Sequence, residues 1–186
     1  LHSNMIIWIL HKKLVNMKKH FMNSSDLKNN SIKGVWFFGL SGSGKTTSAS
    51  YLKKSIFMNA LLLDGDLIRK HVSTDLGYNI EDRFIQLNRI FGMCKICVAS
   101  NVFPICSSVY MNQTMIDNLN KLGIKTIKIE RDFDVLKKLK IYNLKENVFG
   151  LDLNYEKDID VTIIKNKTKD NLFSNLKLFL SKFEYN

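Results

Sequence analysis

Proline and cysteine are scarce in this chain of 186 residues, which contains one proline and three cysteines. No Pro-rich linker or low-complexity tract interrupts the stretch from Ser31 to Asn186, so the sequence predicts one folded domain there. Cys94 and Cys97 form a C-x-x-C pair, but no second Cys or His pair lies at zinc-binding spacing. We therefore predict that these thiols and Cys106 are buried and reduced, as is typical of a cytoplasmic protein, with a redox or metal site as the alternative.

Long hydrophobic runs are also missing. The apolar stretch 5–10 is too short to span a bilayer, and basic residues follow it rather than precede it, which is unlike a signal peptide. We predict that residues 1–31 are a poorly ordered or partly artefactual extension, with an amphipathic membrane-surface segment as the alternative. Residues 32–186 would then form the folded domain, without a membrane partner.

Arginine is rare, although the net charge is +11, because most of the cations are lysines. Arginine occurs only at Arg69, Arg83, Arg89 and Arg131. The charges are scattered, and no basic patch is interleaved with aromatic residues. This pattern favours a composition bias and small anionic ligands over a nucleic-acid partner.

A glycine-rich motif, G-x-x-x-x-G-K-T, is the most informative feature that is present. It follows a short apolar run that predicts a buried strand and precedes a predicted helix, which is the setting of a phosphate-binding loop. Its backbone N–H groups and the helix N-terminus would bind the phosphates of ATP, Lys45 would reach the β- and γ-phosphates, and the Thr46 hydroxyl would be a ligand of Mg²⁺. The alternative is a flexible Gly/Ser turn. The predicted ATP-binding residues are Gly39, Leu40, Ser41, Gly42, Ser43, Gly44, Lys45, Thr46 and Thr47.

Short apolar runs alternate with helical patterns along the rest of the domain. This alternation predicts an α/β fold in which helices cover both faces of a mainly parallel five-stranded sheet. The predicted strands are 35–38, 60–63, 102–106, 126–129 and 161–164. The predicted helices lie near 45–57, 67–73, 80–100, 111–122 and 133–141, followed by a C-terminal docking helix. Pro104 is unexpected within its strand, because proline cannot donate a hydrogen bond to a neighbouring strand.

Two acidic residues, Asp64 and Asp66, directly follow the second predicted strand. At the carboxyl end of a parallel strand they would face the phosphate-binding loop, where a carboxylate can hold Mg²⁺ or accept a proton from an attacking hydroxyl. The alternative is an Asp-Gly turn that only ends the strand. Further along, Tyr78 and Arg83 lie at the entrance to the long helix, where they could stack on a base and bind an anion, or serve only as surface residues.

Four motifs in order, G-L-S-G-S-G-K-T, L-D-G-D-x-x-R, L-G-Y-N-x-x-D-R and F-G-L-D-L-N-Y-E, resemble the adenylylsulfate (APS) kinases. These P-loop kinases transfer the γ-phosphate of ATP to the ribose 3′-hydroxyl of adenylylsulfate. The resemblance covers about residues 33–170. It implies a three-layer P-loop kinase fold with a mobile lid at about 136–152, which would exclude water from the reacting phosphates.

The resemblance also implies residue roles. Lys45, Asp64 and Asp66 would be catalytic, with Thr46 and Asp64 at the metal and Asp66 facing the acceptor ribose. Arg69 and Arg83 would bind the acceptor's anion. The implied acceptor-binding residues are Asp66, Arg69, Tyr78, Arg83, Gln86, Ser108 and Phe149, of which Tyr78 and Phe149 would stack on the base. The implied lid residues are Lys138 and Lys140.

Departures from the family pattern fall on the acceptor side. The family's I-S-P-Y-R-x-D-R segment becomes S-S-V-Y-M-N-Q-T at 107–114, Gln86 replaces an expected Asn, and the lid motif is shortened. These changes suggest a different acceptor. The sequence therefore looks like the branch that phosphorylates cytidine diphosphoramidate for capsule phosphoramidates, with adenylylsulfate as the alternative acceptor.

Two other classes of protein fit these residues less well. A GTPase would need N-K-x-D after a late strand, and Asn166 to Asp170 reads N-K-x-x-D, which is one residue too long. A non-catalytic ATP-binding module would have little use for the paired carboxylates. We therefore predict an enzyme that uses ATP, Mg²⁺ and a small nucleotide acceptor. The sequence does not decide whether the protein forms a homodimer.

Overall fold

Strand β2, Gly34–Phe38, is the centre of the structure, and all five of its residues are buried. The computed structural model describes residues 31–56, 59–143, 147–154 and 159–185. Within it, residues 32–186 form one unit. The predicted poor order of the N-terminal extension concerns residues that, apart from Ser31, lie outside the described part of the chain.

Five strands form a parallel sheet in the order β3–β4–β2–β5–β6. The strands other than β2 are β3 (Ala60–Asp64), β4 (Phe103–Ser108), β5 (Ile124–Glu130) and β6 (Thr162–Lys165). Two short strands, β1 (Ser31–Ile32) and β7 (Glu184–Tyr185), lie outside this sheet. The predicted α/β class with a parallel five-stranded sheet is confirmed.

Helices cover both faces of the sheet. They are α1 (Lys45–Ser55), α2 (Gly65–His71), α3 (Ile80–Ala99), α4 (Gln113–Lys121), α5 (Phe133–Leu136) and α6 (Lys169–Leu180). Because side chains alternate along a strand, Trp36 and Phe38 of β2 belong to the core that α3 and α4 share, whereas Val35 and Phe37 belong to the core that α1 and α6 share. Both faces of the central strand are therefore buried away from solvent. No helix among the described residues is long and apolar enough to cross a bilayer.

The predicted helix 133–141 is wrong. Helix α5 ends at Leu136, and a separate 3₁₀ turn follows at Lys140–Asn143. The chain leaves the helix because Leu136 and Tyr142 are both buried in one small cluster, and the Tyr142 hydroxyl donates to the carbonyl of Ser41 at 2.8 Å. A straight helix over 133–141 would not bring both side chains into this one cluster.

Pro104 is the second residue of β4, an interior strand, and pairs in register with Leu61. Its position at the start of the strand limits the loss of a donor, and the N–H of Phe103 donates to the carbonyl of Asn59 at 2.8 Å. Gly34 accommodates the ring, because a Cβ atom there would lie 2.8 Å from the Pro104 Cγ. Cys94, Cys97 and Cys106 are buried, as predicted, and no disulfide joins them, while their reduced state stays a prediction.

Candidate functional site

The glycine-rich loop connects β2 to α1 and ends at Gly44, which has a left-handed backbone with φ of 107°. A side chain at Gly44 would be strained by this φ value, and its Cβ would lie 2.6 Å from the Asn166 amide nitrogen. Among the described residues, no side chain caps the start of α1. The first N–H groups of that helix are therefore available to an anion at the loop.

Lys45 is the first residue of α1 and is half-buried beside the loop. Its Nζ donates to the Leu40 carbonyl at 2.9 Å, so the ammonium group lies against the loop itself. Burial lowers the pKa of Lys45 to about 8, and the attraction of Asp66 and Asp64 only partly opposes this shift. A polyphosphate bound at the loop would stabilise the charged ammonium form of Lys45.

Asp64 is the centre of the site. It is buried, and its Oδ1 caps α2 by accepting from the N–H groups of Asp66 and Leu67 at 3.1 and 3.2 Å. Its Oδ2 accepts from the Thr46 hydroxyl at 3.0 Å and from the Ser107 hydroxyl at 2.7 Å. The carboxylate is thus fixed in direction by four donors, with one oxygen facing the end of the phosphate-binding loop.

Ser107 is a site residue that sequence reasoning missed. It pairs in register with Asp64 across β3 and β4 and is buried, and its hydroxyl orients the carboxylate. The only available signal was that both residues directly follow predicted strands, 60–63 and 102–106. That signal could be used only once β3 and β4 were known to be neighbours.

The site can hold Mg²⁺ through hard oxygen donors. Thr46 Oγ1 and Asp64 Oδ2 are 3.0 Å apart at the loop, and Mg²⁺ commonly binds one or two protein oxygens together with substrate phosphates and water. Within the described residues there is no group of three or more His, Cys, Asp or Glu side chains that could hold a metal ion without such help. The residues therefore fit a metal that arrives with a nucleotide.

A cavity of about 680 Å³ extends from the phosphate-binding loop to Tyr78, Arg83 and Phe149. Most of the predicted site residues line it, from Ser41 in the loop to Phe149. The predicted residues that line it are Ser41, Gly42, Gly44, Lys45, Thr46, Thr47, Asp64, Asp66, Arg69, Tyr78, Arg83, Gln86, Ser108 and Phe149. Of the predicted residues that the structure describes, Gly39, Leu40, Ser43, Lys138 and Lys140 are outside this lining.

Two arginines and two aromatic rings form the far end of the cavity. The Arg83 guanidinium lies 5.6 Å from the Tyr78 ring centre and 5.2 Å from that of Phe149, and Arg69 lies 4.7 Å from the Tyr78 ring. Arg83 donates to the carbonyls of Tyr78 and Asn147, both at 2.8 Å. The two guanidinium groups bring two positive charges to this end of the cavity.

Gln86 and Ser108 reach the cavity with their polar atoms directed by neighbours. Gln86 is buried and its Nε2 donates to the Gly65 carbonyl at 3.1 Å, next to Asp64 and Asp66. The Ser108 hydroxyl accepts from Trp36 Nε1 at 2.9 Å and donates to the Tyr110 carbonyl at 2.8 Å. Its proton is therefore committed to the backbone.

Met111 and Thr114 stand at the two positions where the resemblance predicts basic residues. Met111 is fully buried in the core beneath the cavity, and Thr114 is exposed in the first turn of α4. Between them, the Asn112 side chain caps α4 by accepting from the Met115 N–H at 2.8 Å. Tyr110, which lines the cavity, has its ring centre 5.7 Å from that of Phe149. An apolar core residue and an exposed threonine thus stand where the resemblance predicts basic side chains.

The predicted lid residues Lys138 and Lys140 are exposed, and the structure does not bring them to the Asp64 carboxylate. Residues 144–146 of the predicted lid lie outside the described residues. A second cavity of about 720 Å³ lies on the other side of the loop. It is lined by residues that include Leu40, Arg131, Phe133, Asn154, Asn166 and Lys167.

Comparison with known proteins gives a consistent picture. The sequence model of the adenylylsulphate kinase family matches residues 32–133. An adenylyl-sulfate kinase of Clostridium kluyveri is 37% identical over 123 residues, which cover 64% of this chain and 59% of the relative. That of Buchnera aphidicola subsp. Acyrthosiphon pisum is 35% identical over 118 residues, which cover 60% of this chain and 53% of the relative. The chain thus spans little more than half the length of these relatives.

Among solved structures, the Mycobacterium tuberculosis APS kinase CysC in complex with AMPPNP and APS matches with a TM-score of 0.68. The two proteins are 20% identical, and the match covers 81% of this chain and 98% of the other. At this identity the match speaks for the fold, and it confirms the predicted P-loop kinase architecture.

Proposed function

The chain belongs to the adenylylsulfate kinase family, and from this premise we propose that it transfers the γ-phosphate of ATP to the 3′-hydroxyl of a nucleotide. The observation that carries the proposal is the meeting of Thr46, Asp64 and Ser107 at the end of the phosphate-binding loop. A protein that only binds ATP has no need for a carboxylate held by four donors at this point.

On the donor side, the loop and Lys45 would bind the triphosphate. Thr46 and Asp64 would hold Mg²⁺, which when bound neutralises charge on the transferring phosphoryl group. The second cavity is lined by Leu40 of the loop and by Arg131 and Asn166. The base of ATP would bind in this cavity. The triphosphate would then cross the loop from one cavity to the other.

On the acceptor side, Asp66 is the carboxylate best suited to contact the attacking hydroxyl. It is exposed and lines the cavity, whereas Asp64 is buried and occupied by its donors. Asp66 would orient the hydroxyl and accept its proton as the bond to phosphorus forms. Arg69 and Arg83 would bind the acceptor's anionic group, and Tyr78 and Phe149 would contact its base.

Adenylylsulfate is the acceptor that the relatives' names support best. The second candidate is cytidine diphosphoramidate, and a specific observation favours it. At Met111 and Thr114, where the resemblance predicts basic residues, this chain has a buried methionine and an exposed threonine. Fewer cations suit a 5′-group different from that of adenylylsulfate.

A direct assay decides between the acceptors. Purified protein with MgATP is given each acceptor separately, and product is measured by mass spectrometry as addition of one phosphate at the 3′-position. A higher kcat/KM for adenylylsulfate supports the first acceptor, and a higher value for cytidine diphosphoramidate supports the second. Loss of ATP without a phosphorylated nucleotide would contradict the proposed transfer.

Asp64→Asn tests the catalytic assignment. Asparagine cannot accept from all four donors or hold Mg²⁺ as a carboxylate does, so we expect kcat to fall by about 100-fold or more while nucleotide still binds. The matched control is Asp117→Asn on the exposed face of α4, where the carboxylate accepts only from Gln113 among the contacts described. Near-normal turnover in Asp64→Asn would refute the role of this carboxylate.

A further inference from the structure

Four consecutive carbonyl groups of the phosphate-binding loop each accept a hydrogen bond from a side chain. Lys45 Nζ donates to Leu40 at 2.9 Å, and Arg131 Nη1 donates to Gly42 at 3.3 Å. The shortest contacts come from two residues distant in sequence. The Tyr142 hydroxyl donates to Ser41 at 2.8 Å, and Asn166 Nδ2 donates to Ser43 at 2.7 Å.

The direction of these carbonyls matters for phosphate binding. A loop that binds phosphate presents its backbone N–H groups to the anion, and a carbonyl turned the same way would repel it. Side-chain donors on the carbonyls fix the orientation of the peptide planes and so hold the N–H groups ready. A loop without such donors would have to order itself when the nucleotide arrives, at a cost in affinity.

Tyr142 is well fixed for this task. Its ring is buried with Leu136 and Val148 and packs edge-on against Phe133, with ring centres 5.7 Å apart. Burial also raises the pKa of Tyr142, so the hydroxyl stays a donor at working pH. The hydroxyl donates to the loop, and the ring is held in an apolar cluster against which Leu40 of the loop also packs.

Asn166 is fixed in a different way. It directly follows β6, and its backbone N–H extends the pairing of β6 with β5 by donating to the Glu130 carbonyl at 2.7 Å. The absence of a side chain at Gly44 leaves room for its amide to reach Ser43. The asparagine of the N-K-x-x-D segment thus contacts the phosphate-binding loop, where the sequence had suggested only a GTPase-like coincidence.

We propose that Asn166 and Tyr142 are positioning residues that hold the phosphate-binding loop in its anion-binding shape before the nucleotide arrives. This rests on the proposed function only in taking a nucleoside triphosphate as the ligand. Neither residue touches the reacting atoms in this assignment. Both act through the carbonyls of Ser43 and Ser41.

The test compares Asn166→Asp and Tyr142→Phe with wild-type protein by calorimetric binding of MgATP, tripolyphosphate and adenosine. Each variant removes one donor and keeps the size of the side chain, and Tyr142→Phe does so without a change of charge. We expect MgATP and tripolyphosphate to bind about tenfold more weakly to both variants. We expect adenosine to bind Tyr142→Phe as it binds wild type, because the lost order affects only phosphate contacts. Asn166 lines the second cavity and Asn166→Asp adds a negative charge, so Tyr142→Phe is the variant that decides the comparison with adenosine.

Matched controls make the same chemical changes elsewhere. Asn175→Asp removes an amide that donates to the Lys165 carbonyl at 3.3 Å, and Tyr51→Phe alters a tyrosine stacked on Phe173 with ring centres 4.4 Å apart. Both controls should bind all three probes as wild type does. Thermal unfolding of each variant and its control shows how much global stability each change removes.

Several outcomes would overturn the proposal. These are MgATP binding within about twofold of wild type in both variants, or equal weakening of adenosine and tripolyphosphate in Tyr142→Phe. Wild-type protein that binds neither phosphate probe would overturn this proposal and the proposed function together. Normal phosphate binding in wild type with weakened binding in both variants, but without phosphoryl transfer to any nucleotide, would refute the proposed function alone.

Discussion

At the scale of single residues, Lys45 places a half-buried amino group at the phosphate-binding loop. Its pKa is lowered to about 8 because burial disfavours the ammonium form. A triphosphate favours that form, so binding raises this pKa and takes up protons near pH 8. We therefore expect nucleotide binding to be coupled to the protonation of the Lys45 side chain.

This coupling predicts a pH dependence of nucleotide affinity. Below pH 8 Lys45 is charged in the free protein, and above it the proton must be added on binding. We expect the Kd of MgATP to be flat at low pH and to rise by up to about tenfold per pH unit above 8. Calorimetry in two buffers of different ionisation enthalpy measures the proton uptake.

Lys45→Arg is the control for this prediction, because arginine stays protonated throughout the range. If this variant still binds nucleotide, its Kd should not rise above pH 8. The same pH dependence in both proteins would assign the titration to another group. A flat Kd in wild type to about pH 9.5 would contradict the lowered pKa of Lys45.

At the scale of elements, α3 carries Arg83 and Gln86 to the cavity, and its start is fixed by one side chain. The Asn79 side chain accepts from the Asp82 N–H at 2.7 Å, and the Asp82 carboxylate accepts from the Gly77 N–H at 2.8 Å. The loop that bears Tyr78 is thereby tied to the first turn of the helix. These hydrogen bonds therefore help to position Tyr78 and Arg83 at their end of the cavity.

Asn79→Ala should therefore destabilise the protein by about 1 kcal/mol, which lowers Tm by about 2 to 4 °C in a domain of this size. Asn79→Ser keeps a capping oxygen and should recover most of the loss. Denaturant and thermal unfolding measure both. Equal stability of the alanine and serine variants would show that the cap contributes nothing measurable.

The elements also show what the sequence could predict. The phosphate-binding loop and Asp64 were predictable because each lies in a contiguous motif beside an apolar strand. Ser107 was not, because its role depends on β4 lying next to β3, and no local pattern specifies strand order. The helix predicted at 133–141 failed for a related reason: its apolar spacing fits a helix, but Tyr142 is held by Ser41, a hundred and one positions away.

At the scale of the whole molecule, the site is assembled from residues at the carboxyl ends of several strands of the parallel sheet. The loop follows the central strand β2, and Asp64 ends the edge strand β3, with β4 between them. The reversal of strand order at β2 opens the crevice in which ligands bind in folds of this kind. A ligand in the crevice would contact the phosphate-binding loop together with the ends of β3 and β4.

Binding of MgATP should therefore stabilise the whole domain. At a concentration of one hundred times Kd we expect about 2.7 kcal/mol, or an increase in Tm of about 5 to 10 °C. Because Thr46 and Asp64 would share the metal, ATP with a chelator should give a smaller increase. Differential scanning calorimetry measures both, and an equal increase with and without Mg²⁺ would contradict a metal at these two oxygens.

The contact between Ser43 and Asn166 has a consequence for how the chain is made. These residues are 123 positions apart, so the loop is synthesised long before its partner leaves the ribosome. Contacts of such sequence separation form late in folding, since much of the chain must first be ordered between them. During translation the loop would exist for most of the time without its partner. The ability to bind nucleotide would therefore be one of the last properties that the newly synthesised protein acquires.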